Sequence, residues 1–198
     1  LASVIAALVI LVEGLILSMS VGGPLWHGGM LPVVFLVEGL LTAAAILLIA
    51  PAEPSISGWL RLVMLVLLPA LVVLNLLEIA AASYAGNPEA QAAITLFWNG
   101  RLTPLFWGQA VLGLLVPFVL LAGAAKNRTA MILAAGLVIL GGWVTKLGVL
   151  ISGQALPFMQ AEATYVPTLV EVAGVIGIVG LAGFLFLLGR HFISLRQA

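Results

Sequence analysis

Apolar residues persist for about a membrane's thickness six times along this chain, over about 1–20, 29–50, 59–84, 104–125, 129–152 and 167–189. A helix needs roughly 20 such residues to cross the hydrocarbon core. Spanning backbone must satisfy its own polar groups, which leaves helices or a closed barrel. No strand-like alternation persists here, so the runs read as helices. Residues of the hydrophobic class make up 64% of the chain and charged residues 7%, with mean hydropathy +1.31; about a quarter of an average soluble domain is charged. The predicted fold is all-α: a polytopic membrane helical bundle of six transmembrane helices, forming a single integral membrane domain over 1–198.

The breaks between runs carry turn chemistry. Gly22, Gly23 and Pro24 follow the first run, Pro51 and Pro54 the second, Gly86, Asn87 and Pro88 the third, and Lys126, Asn127 and Arg128 the fourth. Pro69 and Pro117 fall inside the third and fourth runs, where a kink is expected. Leu1 already lies in an apolar run, with no initiator Met and no charged flank of a signal peptide. We therefore expect the N-terminal part of the protein to be missing.

Arg61, Lys126, Arg128, Arg190 and Arg196 fall on one side of such a bundle, and Arg101 with the deeper Lys146 on the other. The positive-inside rule makes the first side cytoplasmic. Both ends then lie in the cytoplasm of a cell bounded by this inner membrane. The connections at 21–28, 85–103 and 153–166 face outward. Formal net charge is zero, which argues against nucleic acid as a partner. No cysteine is present, so a disulfide, an iron–sulfur cluster or a thiolate zinc site is not expected in this chain.

Charge buried in hydrocarbon is costly and points to function. Glu13, Glu38 and Glu78 lie within the first three runs, Lys146 within the fifth, and Glu171 at the start of the sixth. All five fall in the outer half of the membrane, with Arg101 at a similar height. Each also has a structural reading. Glu171 completes a capping box with Thr168, and Glu78 stands three residues after Asn75 on one helical face. Glu13 and Glu38 each precede a glycine that permits close helix approach. Lys146 can snorkel outward. Together they describe a polar pocket or a proton-access path. His27 and His191 are placed on opposite sides of the membrane, so a bis-histidine haem is not expected.

The segments Gly23-Pro24-Leu25-Trp26-His27 to Leu31-Pro32-Val33-Val34-Phe35-Leu36, Leu105-Phe106-Trp107-Gly108 with Pro117, and Ile151-Ser152-Gly153-Gln154 to Pro157 with Tyr165-Val166-Pro167-Thr168-Leu169-Val170-Glu171 occur in order. Together they resemble the NrfD/polysulfide reductase membrane-subunit family. The resemblance implies a longer protein whose initial helices are absent from this sequence. It implies a membrane subunit that exchanges electrons between a quinone/quinol pool (menaquinone or ubiquinone) and an iron–sulfur ferredoxin-like subunit docked on the outer face. That subunit would serve a molybdopterin-type or other catalytic subunit. It also implies that Trp26 and His27 lie near the quinone, and that Glu13 stands where relatives place a pocket-lining residue. Quinone chemistry moves protons with electrons, so Glu13, Glu38, Glu78 and Lys146 are the expected relay, and Arg101 or Lys146 would stabilise a quinolate anion. The alternatives are a proton-conducting or transporter-type module, which would need polar groups in both membrane halves, and a structural anchor.

Overall fold

The computed structural model describes residues 2–19, 29–50, 54–84, 86, 88–100, 102–123, 127–155 and 168–192. The helices, in chain order, are α1 (Ala2–Ser18), α2 (Leu31–Ile49), α3 (Pro54–Tyr84), α4 (Pro88–Asn99), α5 (Thr103–Gly108), a π-helix (Gln109–Leu115), α6 (Val116–Gly123), α7 (Arg128–Ala155) and α8 (Leu169–Phe192). Helices α1 to α7 belong to one compact unit, Leu1–Ala163, and α8 to a second, Thr164–Ala198.

Four helical stretches are long and apolar enough to cross a membrane: Leu31–Ile49, Pro54–Tyr84, Thr103–Gly123 and Arg128–Val149. The chain is a multi-pass membrane protein, but the six expected spans are not all present among the described residues. Helix α1 has 17 residues, short of the length of the four, and α8 is not among the stretches identified as spans within the described residues.

The core forms on regularly spaced faces of the long helices. Helix α2 contributes Val34, Leu41, Ala45 and Leu48, α3 contributes Leu60, Met64, Leu68 and Leu71, and α7 contributes Met131, Ala134, Ala135 and Val138. Steps of three, four and seven residues keep each set on one side of its helix. Ala44, Ala45, Ala134 and Ala135 let α2 and α7 approach closely, the means by which helices associate when lipid is as apolar as their side chains. The outward faces are apolar too: Val66 is 62% exposed and Leu140 64%. A helix hydrophobic on all sides suits a lipid surround.

One end of the bundle is closed by arginine. The Arg61 guanidinium donates to the carbonyls of Leu121 (2.6 Å) and Ala122 (3.1 Å) in the last turn of α6. Arg128 donates to Ile49 O (3.3 Å), Ala50 O (2.7 Å) and Ser57 Oγ (3.4 Å). The last four carbonyls of a helix have no partner within it, so both arginines satisfy groups that are otherwise orphaned. Two of the cations expected on one side thus share one end.

The structure departs from the sequence expectation at two further places. The connection expected over 85–103 contains α4, which begins on Pro88, where proline's missing N–H is harmless. Gly86 turns the chain just before it at φ 65°, a conformation that favours glycine. Pro117 was expected to kink its helix, and the distortion takes a particular form: the turns before it widen into the π-helix. Pro117 has no N–H for the carbonyl of Gly113, and the Val116 N–H instead reaches the carbonyl of Val111, five residues back.

Candidate functional site

Helix α3 runs about 46 Å at 1.5 Å per residue, carrying Arg61 near its start and Glu78 six residues before its end. Glu78 is therefore about 25 Å along the axis from the arginine-closed end. There α3 borders a cleft of about 580 Å³ shared with α4, α5, the π-helix, α6 and α7. Its walls are mainly hydrocarbon and aromatic, with Asn75, Glu78, Gln109 and Thr145 supplying polar groups. That size and balance match sites for small organic ligands, which typically occupy about 300–1,000 Å³.

The aromatic wall comes from the short helices. Trp98 of α4 lies 5.1 Å from Phe106 and 5.9 Å from Trp107 of α5, and Phe106 meets Trp107 edge-on at 5.4 Å. Phe97 stands 6.3 Å from Phe106. These are favourable aromatic separations, and they hold α4 over the cleft without a covalent tie. Glu78 Oε1 is buried and has no hydrogen-bond partner among the described residues, so a bond from Asn75 to that oxygen is not formed.

Glu38 occupies a second, much smaller compartment. It is 3% exposed, and neither carboxylate oxygen has a partner among the described residues. The compartment measures about 10 Å³ and includes Thr42, Gln109, Gly113, Gly141 and Thr145. A Cβ on Gly113 would lie 2.8 Å from the Cα of Gly141, so the π-helix and α7 meet backbone to backbone here. Gln109, Leu114 and Thr145 line both this compartment and the large cleft. Lys146 and Glu78 both interact electrostatically with Glu38. The Lys146 Nζ lies 4.5 Å from the centre of the Phe35 ring, although the residue as a whole is exposed.

The structure thus brings Glu38, Glu78 and Lys146 of the expected set into one neighbourhood. Glu13 is exposed on α1 and does not line the cleft. The glycines beside the two similar glutamates do serve close approach: a Cβ on Gly14 would lie 2.6 Å from Pro32 Cα, and one on Gly39 2.6 Å from Ile10 Cδ1. Glu171 lies in α8, in the second unit, and Thr168 immediately precedes that helix. Trp26, His27 and Arg101 lie outside the described residues. Sequence reasoning missed Gln109 and Thr145, whose signal was a lone amide and a hydroxyl in otherwise apolar runs.

No curated protein matches the chain. The family profile described as "Polysulphide reductase, NrfD" matches residues 1–157, a span that includes every residue named in both cavities. By that match the chain belongs to the NrfD polysulphide reductase family.

Proposed function

We propose that this chain is the membrane subunit of a respiratory oxidoreductase complex, passing electrons between a membrane quinone or quinol and a docked iron–sulfur subunit. Family membership supports a membrane subunit of a quinone-interacting complex. The observation that carries the site assignment is the cleft: about 580 Å³ of mostly apolar space with the carboxylate of Glu78 on its wall. An isoprenoid quinone needs hydrocarbon for its tail and a polar contact for its ring oxygens, and the cleft has both.

Quinol oxidation releases two protons with two electrons. Glu78 is positioned to accept a proton from a ring hydroxyl in the cleft, and Asn75 to orient it by a hydrogen bond. The aromatic wall of Phe97, Trp98 and Phe106 excludes water from the ring. Glu38 is the next proton site inward, its compartment sharing Gln109 and Thr145 with the cleft. Trp26, His27 and Arg101 remain proposed contributors through the family resemblance, as do an outer-face iron–sulfur partner and a molybdopterin-type catalytic subunit.

A proton-conducting or transport role receives less support. Toward the arginine-closed end the core is filled by Leu48, Met64, Leu121, Ala134 and Ala135, none more than 5% exposed. Among the described residues that packing offers no polar path onward. In the assembled complex, Glu78→Gln should slow quinol oxidation while leaving subunit assembly intact. Undiminished oxidation would count against the assignment.

A further inference from the structure

Neither oxygen of Glu38 has a hydrogen-bond partner within bonding distance among the described residues, although the residue shares its compartment with Thr42, Gln109 and Thr145. A polar cavity holds a water when it offers about 10–15 Å³ and two to four polar partners. The compartment, at about 10 Å³, has room for one. Thr145 already donates its hydroxyl to Gly141 O at 3.0 Å, which leaves its oxygen free to accept. Of the side chains lining both cavities, Leu114 is apolar, the Thr145 hydroxyl donates to Gly141 O, and the Gln109 amide has both a donor and an acceptor to offer on either side.

Gln109 is also the first residue of the π-helix. A widened turn redirects the side chains around it, and such turns are frequent at functional sites. The feature has a local cause in Pro117, and a local consequence in where Gln109 points.

We propose that Gln109 is a positioning residue: it holds one water between the Glu78 cleft and Glu38, and so governs proton passage between the two carboxylates. This rests on the reading of the cleft as the quinone site. Glu78, protonated by the substrate, gives that proton to the water, and the water gives another to Glu38 once Glu38 has passed its own proton on. One O–H bond breaks and one forms at each transfer, and the water is regenerated. The amide gains and loses no proton; it fixes the water's orientation. Glu38 keeps Lys146 of α7 and Glu78 of α3 within electrostatic range throughout.

The test uses the complete complex with Gln109→Leu, Glu38→Gln and the double variant. Measured together are quinol turnover, retention of a photoreactive quinone, and the infrared carboxyl signal that Glu38→Gln removes. Gln109→Leu should leave quinone retention and KM unchanged, lower kcat about tenfold, as loss of one hydrogen bond can, and silence the turnover-linked Glu38 signal. The double variant should be no slower than the slower single variant, because both act on one step. An intact Glu38 signal in Gln109→Leu would overturn the proposal, as would a raised KM at unchanged kcat, which would make Gln109 a ligand contact. Quinone labelling elsewhere in the unsubstituted complex, with Glu38 still silenced by Gln109→Leu, would overturn the quinone reading and uphold passage between the carboxylates.

Discussion

Gly113 and Gly141 meet backbone to backbone: a Cβ on Gly141 would stand 2.5 Å from the Cα of Gly113. The contact presses the π-helix onto α7 and closes the compartment around Glu38. The neighbouring atom is main chain, so no side chain can swing aside to relieve a clash. Gly141→Ala should therefore destabilise the protein by about 1–3 kcal/mol, the usual range for overpacking. The unfolding midpoint in detergent measures it, and Gly58→Ala, at a glycine with nothing within 4 Å, is the control expected to change little.

The arginine-closed end should matter for stability and not for ligand binding. Arg128→Met removes donors to Ile49 O, Ala50 O and Ser57 Oγ. Hydrogen bonds to charged groups contribute about 1.5–3 kcal/mol each, and water reaches part of this site, so a loss near the lower figure is expected. Thermal unfolding should show it while quinone retention stays unchanged, because the cleft carboxylate lies about 25 Å further along the bundle.

Much of this architecture was legible in the sequence, and the gaps have physical causes. The apolar runs over α2, α3 and α7 are unmistakable because lipid demands their length. Helix α4 falls in what the turn residues Gly86, Asn87 and Pro88 mark as a connection; the spacing of Ile94, Phe97 and Trp98 is the helical signal. Pro117 marks a distortion but not its form, since one extra residue in a turn does not alter a largely apolar pattern. Glu13 and Glu38 look alike in sequence, each as Val-Glu-Gly, yet one is exposed and the other 3% exposed. Depth follows from counting residues along a run, whereas the direction a side chain faces depends on which helices surround it.

At the proposed proton acceptor, the kinetic signature should be specific. Glu78→Gln keeps size and hydrogen bonding but cannot take a proton at neutral pH. Quinol oxidation by the assembled complex should fall on the order of 100-fold in kcat, within the range for a positioned acid or base. KM should change little, because the amide still contacts the ring. Steady-state kinetics separate the two parameters.

The cleft should also respond to shape alone. A Cβ at Gly148 would sit 3.6 Å from Phe97 Cε1, ordinary van der Waals contact, so Gly148→Ala should be tolerated. Gly148→Phe would project a ring into the cleft it lines. Weaker quinone binding is expected, at least about tenfold, since a ring cannot share that space. A titration with a fluorescent or radiolabelled quinone analogue would measure it.

Photo-crosslinking the complete complex with a light-activated quinone, then sequencing the labelled peptides, tests the central claim most directly. Labels should fall on the cleft walls, at Phe97, Phe106 or the turn of α3 around Glu78, and excess unlabelled quinone should suppress them. Competed labelling confined to other parts of the complex, with those three segments untouched, would contradict the account.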